Sequence, residues 1–108
     1  MSVAPHCPNG PVSLAASLQV AFCCSNVVIQ EQSLGLHYHA GFAGLPKADL
    51  LDYLKDPKPL TAVDGVFSLN DAPGLGIALD TDAIEAKRQD WHLPDSDWTH
   101  LDGTYAEL

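Results

Sequence analysis

The sequence contains few basic residues and no long apolar run. Five Lys and Arg stand against 14 Asp and Glu, which gives a formal charge of −9 at pH 7. Such a chain repels phosphate backbones and anionic lipids, which argues against nucleic acid and a membrane as partners. The longest apolar stretch, Val12 to Cys24, is interrupted by polar residues and follows no basic segment, so it predicts neither a membrane span nor a signal peptide. We therefore expect a cytoplasmic protein.

Motifs for several common chemistries are also missing. The three cysteines, Cys7, Cys23 and Cys24, are odd in number and have no C-x-x-C spacing, which argues against a disulfide framework or a zinc knuckle and predicts reduced, buried thiols. The sequence contains no G-x-S-x-G elbow of a serine hydrolase. The glycines of Gly74-Leu75-Gly76 are not followed by Lys and Ser or Thr, so they do not form a phosphate loop.

The length sets a limit on the fold. With 108 residues, 46% of them hydrophobic, the chain has room for one domain with a small core. A barrel of eight strand-helix units needs about 250 residues. Any barrel-like structure in this chain must therefore be partial.

The first third of the sequence has the order turn, helix, strand. Pro5 to Pro11 is dense in turn residues and follows Met1–Ala4, which we interpret as the tail of a strand. Pro11 suits the first position of a helix over Val12 to Ser25, whose apolar residues on two faces call for cover on two sides. Val27 to Ile29 is a continuous β-branched run, typical of a parallel strand buried on both faces.

Two side chains with acid-base chemistry follow these strands. In folds of parallel strands, chemistry gathers just past the carboxyl ends of the strands, where His6 and Glu31 both lie. His6, on a proline-stiffened turn, is a candidate general base, although a loop histidine without function is the alternative. A partly desolvated carboxyl at Glu31 would suit hydrogen bonding to a developing oxyanion, whereas the alternative is a solvated carboxylate without a role.

The rest of the sequence predicts short elements. A helix begins at Pro46 and runs through Leu54, a hairpin turns at Asp64-Gly65, and a strand covers Ile77 to Leu79. Thr81 is a plausible cap for a further helix over Asp82 to Arg88.

Two pairs of side chains in the rest of the sequence, one of histidines and one of tryptophans, are weaker candidates for a functional site. His37 and His39 could join Cys7 at a metal, but a structural zinc site needs four ligands. Trp91 and Trp98 are more typical of anchors for a C-terminal tail than of a ligand wall.

Several motifs occur in the order of one known family. They are Val3–Pro11, Ile29–Tyr38, Asp49–Tyr53, Pro73–Ile77 and the tail Trp98–Glu107. Together they resemble the C-terminal end of the galactonate-type acid-sugar dehydratases, which belong to the mandelate racemase/muconate lactonizing enzyme family of the enolase superfamily. Because the match runs across nearly the whole chain, it is more specific than any single motif.

The resemblance implies an α/β fold that is the C-terminal fragment of a (β/α)7β TIM-like barrel. Residues 1–34 would supply the end of strand 7, helix 7 and strand 8. Residues 35–108 would form a C-terminal extension with short helices and a hairpin that packs on the capping domain.

The resemblance also implies a reaction. His6 would be the base that removes the proton α to the carboxylate of a sugar acid, and Glu31 the acid that stabilises the enolate oxygens. Loss of water, assisted by Mg²⁺, would give a 2-keto-3-deoxy acid. In the family the Mg²⁺ ligands come from earlier strands that this sequence does not contain, so we expect the chain to be inactive alone.

Two other functions remain open at this stage. The chain could be a complementing subunit of a split enzyme, paired with a chain that carries the first seven strands, or a homo-oligomer. It could also be a non-catalytic binding module, which would fold stably and would not depend on His6 or Glu31.

Overall fold

This computed structural model describes residues 1–34, 50–88 and 102. These residues contain two α-helices and two 3₁₀ helices. Helix α1 spans Pro11–Cys23 and helix α2 spans Thr81–Ala86. The 3₁₀ helices span Leu50–Tyr53 and Lys58–Leu60. Predictions on residues 35–49, 89–101 and 103–108, including the start of the Pro46 helix, the histidine pair and the two tryptophans, lie outside the described residues.

The predicted helix after the proline-rich turn is present. Pro11 occupies the first helical position, and Leu14 N–H donates to the Gly10 carbonyl at 3.2 Å to close the first turn. The helix ends at Cys23, two residues before the predicted end at Ser25. Its buried residues Pro11, Leu14, Ala15 and Leu18 follow the i, i+3, i+4, i+7 spacing, so one stripe of α1 faces the core.

The segments before and after α1 lie side by side in parallel. Val3 forms an isolated parallel bridge with Val27, with Val3 N–H donating to Asn26 O at 2.9 Å and Val28 N–H donating to Val3 O at 3.1 Å. The chain thus runs from one extended segment through α1 to a second extended segment that lies parallel to the first, as in an α/β fold. The barrel assignment remains a prediction, because this pairing involves only one bridge.

The prediction that Val27 to Ile29 is buried on both faces is wrong for this structure. The exposed fraction is 69% for Val28 and 65% for Ile29. A parallel strand is buried only where neighbouring strands and helices cover it. The described part of the chain supplies little such cover.

The two 3₁₀ helices contact α1, and a tight turn follows them in the chain. Asp64 and Gly65 have φ values of 51° and 78°, both positive as a type I′ turn requires, and Val63 and Val66 form an antiparallel bridge around them. The predicted turn is therefore confirmed. The pairing around the turn is limited to this one bridge, and the chain before it, up to Leu60, belongs to a 3₁₀ helix.

The predicted helix near residue 80 is present, whereas the strand predicted over Ile77 to Leu79 is reduced to a single bridge. Leu79 forms one antiparallel bridge with Leu54. The cap prediction was wrong by one residue: the Asp80 carboxylate accepts a hydrogen bond from Ala83 N–H at 2.9 Å, and Thr81 is the first residue of α2. A carboxylate in this position accepts from an otherwise unpaired N–H and lies at the positive end of the helix dipole.

The core joins both parts of the described chain. It comprises Cys7, Leu14, Ala15, Leu18, Leu34, Leu54 and Leu60. The cysteine prediction holds for Cys7, which is 1% exposed, but is wrong for the two adjacent cysteines, which are exposed. The second apolar face of α1 is also uncovered, since Val20 is 58% exposed. None of the helices in the described ranges is long and apolar enough to cross a membrane.

Candidate active site

The site is built on the turn that precedes α1. Cys7 is buried in the core, and its Sγ lies 3.6 Å from the Ser13 Oγ in the first turn of α1. The neighbouring His6 side chain points away from this core, with 80% of its surface exposed. The buried thiol thus fixes the turn to the helix, while the imidazole beside it stays accessible.

His6 and Glu31 meet, as expected for residues that follow two neighbouring strands. The His6 Nδ1 lies 2.7 Å from the Glu31 Oε2. The same carboxylate oxygen accepts a hydrogen bond from the Cys7 backbone N–H at 2.9 Å. The parallel pairing of Val3 with Val27 explains this proximity, because it brings the two chain segments out at the same edge.

This contact has a consequence for the imidazole. When His6 is neutral, a hydrogen bond from Nδ1–H to the carboxylate places the proton on Nδ1 and the lone pair on Nε2. Nε2 is then the atom that can accept a proton from another molecule. A carboxylate that orients a histidine in this way is a recurrent device in acid-base sites.

The carboxylate is less desolvated than the sequence suggested. The Glu31 side chain is 46% exposed, so water reaches it directly. Its Oε2 accepts two hydrogen bonds from the turn, whereas the sequence predicted a carboxyl group that faces an oxyanion. The structure therefore places both predicted residues together, but in an open position at the surface.

Two polar side chains next to Glu31 contact the turn as well. Gln30 Nε2 donates to the Pro5 carbonyl at 3.4 Å, and Ser33 Oγ donates to the Pro8 carbonyl at 2.8 Å. No motif in the sequence indicated a role for either residue. Their position beside Glu31 was the only signal, because their partners lie about 25 residues away in the chain.

The described residues do not form a metal site. Within residues 1–34, 50–88 and 102, no three His, Cys, Asp or Glu side chains cluster as metal ligands. His6 and Glu31 are engaged with each other. The described residues thus do not fit the Mg²⁺ that the resemblance implies.

Comparison with known proteins confirms the resemblance. The model of the enolase C-terminal domain-like family matches residues 1–83. A D-galactonate dehydratase of Xanthomonas oryzae pv. oryzae (strain PXO99A) is 44% identical over 107 residues, which are 96% of this chain and 26% of that protein. A D-galactonate dehydratase of Cronobacter sakazakii (strain ATCC BAA-894) is 42% identical over 110 residues, which are 99% of this chain and 27% of that protein. The chain spans about a quarter of the length of these curated relatives.

Proposed function

The chain belongs to the enolase C-terminal domain-like family, and from this membership we propose that it is the C-terminal part of an acid-sugar dehydratase. The proposed substrate is a sugar acid of the D-galactonate type, as the names of the relatives suggest. The observation that carries the proposal is the 2.7 Å contact between His6 and Glu31, the two residues that the family resemblance marks as base and acid.

In the proposed reaction His6 is the general base. Its Nε2 lone pair takes the proton α to the substrate carboxylate, and the electrons of the broken C–H bond form the enolate. The enolate then expels the hydroxyl group from the next carbon, which leaves as water after it gains a proton from a group outside the described residues. The resulting enol tautomerises to a 2-keto-3-deoxy acid.

Glu31 has two parts in this proposal. Its Oε2 holds the His6 Nδ1–H, which keeps the lone pair on Nε2. In its protonated form the same carboxyl group would donate a hydrogen bond to an enolate oxygen.

Mg²⁺ in this family would compensate the charge of the enolate. Because the described residues contain no suitable ligand cluster, we derive no step from it. Residues beyond the described ranges, or on another chain, would have to hold the ion.

We propose further that the 108-residue chain has no dehydratase activity alone. His6 is 80% exposed and Glu31 is 46% exposed, so bulk water would compete for both groups. Electrostatic stabilisation of an enolate is strong only where water is excluded. About three quarters of the relatives' length is not matched by this chain, and we propose that this remainder forms the walls that would exclude water.

The uncovered apolar surface supports a second candidate function, which is assembly with the remainder of a barrel. Val28 and Ile29 border an open groove of about 390 Å³, which α1 lines with Leu18 and Phe22. We propose that its occupant is the remainder of a dehydratase barrel, supplied by the same protein or by a separate complementing chain. The length of the relatives supports this occupant, because three quarters of each has no counterpart here.

The test has two arms with D-galactonate, Mg²⁺ and an assay for 2-keto acid. The first arm uses the purified 108-residue chain, for which we expect no turnover. The second arm uses a chimera in which this chain replaces the matching quarter of the Xanthomonas oryzae relative, and here we expect activity. Turnover by the chain alone would contradict the claim of inactivity, and an inactive but folded chimera would contradict the dehydratase assignment.

Variants of the active chimera test the two roles. We expect His6→Asn to lower kcat by about 10³-fold or more and Glu31→Gln by about 10²-fold or more. Glu85→Gln is a matched control, because Glu85 lies on the surface of α2 and pairs with Arg88, three residues along the chain. If His6→Asn behaved like Glu85→Gln, a non-catalytic binding module would become the better interpretation.

A further inference from the structure

The backbone of the His6 turn is held by side chains from a single short segment. Three contacts reach it. The Gln30 Nε2 donates to the Pro5 carbonyl, the Glu31 Oε2 accepts from the Cys7 N–H, and the Ser33 Oγ donates to the Pro8 carbonyl. The contacts lie on both sides of His6 along the chain. The turn is thus attached to residues 30–33 both before and after the histidine.

Ser33 is the most buried of these attachments. At 5% exposure it is the only buried polar or charged residue among those the structure describes. A buried hydroxyl group is costly unless it has a partner, and the Ser33 Oγ finds one in the Pro8 carbonyl at 2.8 Å. The hydroxyl end of this hydrogen bond is buried, although Pro8 itself is exposed, whereas both side chains of the His6–Glu31 contact are open to water.

Gln30 connects the turn to α1. Its Oε1 accepts a hydrogen bond from the Ser17 Oγ at 2.8 Å, which fixes the orientation of the amide. Its Nε2 then faces the Pro5 carbonyl at 3.4 Å and the Glu31 carbonyl at 2.7 Å. The Gln30 side chain therefore connects α1, the turn before His6 and the backbone of Glu31 through hydrogen bonds.

We propose that Ser33 and Gln30 are positioning residues for His6. The His6 side chain is 80% exposed and has little packing of its own, so its direction depends on the backbone beneath it. By fixing that backbone at Pro5 and Pro8, the two residues hold Nδ1 at the Glu31 Oε2 and direct Nε2 outward. Their importance for catalysis rests on the function proposed above, but their effect on the imidazole does not.

The test measures the tautomer of His6 in the 108-residue chain itself. Protein labelled with ¹⁵N-histidine is studied by NMR in alkaline buffer, where histidine is neutral and the two ring tautomers have distinct ¹⁵N shifts. His6→Gln identifies the His6 signals among those of the five histidines. We expect the Nδ1–H tautomer to predominate in the unmodified chain.

Ser33→Ala and Gln30→Met each remove one attachment while nearly keeping side-chain volume. We expect both to shift the His6 signals towards an average of the two tautomers, whereas Ser33→Thr, which keeps the hydroxyl group, restores the original signals. Ser25→Ala, at an exposed serine, is the control and should change nothing. In the active chimera, Ser33→Ala should lower kcat by about 10- to 100-fold with KM changed less than about twofold.

Each outcome decides the proposal. Folded Ser33→Ala and Gln30→Met chains with unchanged His6 signals would overturn it, and so would failure of both variants to fold, since the contacts would then be structural. If only one variant folds, its His6 signals decide. An inactive chimera would refute the proposed function yet leave the tautomer result valid, so the two failures are distinguishable.

Discussion

Leu14→Ala is the most informative stability test, because Leu14 joins the helix to the core under the site. The side chain is 0% exposed and belongs to the same buried cluster as Cys7, the residue next to His6. Truncation of a fully buried leucine removes its transfer free energy and leaves a cavity. We expect the free energy of unfolding to fall by about 3 kcal/mol, within a range of about 2 to 5 kcal/mol.

Val20→Ala is the matched control on the same helix. Val20 is 58% exposed, so its truncation removes little buried surface. Alanine also has a higher helix propensity than valine, by roughly 0.5 kcal/mol. The control should therefore change the free energy of unfolding by less than about 0.5 kcal/mol in either direction.

Urea denaturation followed by circular dichroism at the helix band measures both changes. With an m value of roughly 1.5 kcal/mol/M, the loss for Leu14→Ala lowers the midpoint by about 2 M. Because a domain of this size is stable by only about 5–15 kcal/mol, the experiment belongs at low temperature. Equal midpoints for the two variants, or a non-cooperative transition of the unmodified chain, would refute the assignment of Leu14 to a packed core.

Three further predictions concern single contacts. Because the Asp80 carboxylate caps α2, Asp80→Ala should lower the free energy of unfolding by about 1 kcal/mol in the same urea assay. Thr81→Ala should lower it by less than half as much. Equal effects of the two variants would contradict the assigned cap. Gly76→Ala should lower the free energy of unfolding more than Gly74→Ala. Both glycines have positive φ, so an added Cβ costs about 1 kcal/mol or more, but of the two only Gly76 would bring that Cβ against the Asn70 side chain. Because Cys7 is buried and the other two cysteines are exposed, a thiol reagent should label Cys7 far more slowly in the folded chain. The difference should vanish in urea. Rapid labelling of all three cysteines would show that the turn at Cys7 is not buried.

Local chemistry allowed several elements to be predicted from the sequence. Pro11 supplies a fixed φ at the start of α1, so the helix begins where the sequence indicated. Asp64-Gly65 accepts the two positive φ values of a tight turn, and the turn is present. These features depend on dihedral angles of one or two residues, which the residue type sets directly.

Burial could not be predicted in the same way. Val27 to Ile29 has the composition of a buried strand, yet Val28 is 69% exposed, because burial depends on the elements that cover a strand and not on the strand itself. The cap of α2 also differed, since Asp80 and Thr81 are both good caps and only the backbone geometry selects between them.

The candidate site shows the same division. The sequence by itself determined which groups have acid-base chemistry, His6 and Glu31, and its order of motifs determined the family. Only the tertiary structure decided that Nδ1 of His6 meets Glu31 and that Gln30 and Ser33 hold the turn, because these contacts join atoms about 25 residues apart. Contacts of that separation arise from the parallel pairing of two segments around a helix, which no local pattern of residues specifies.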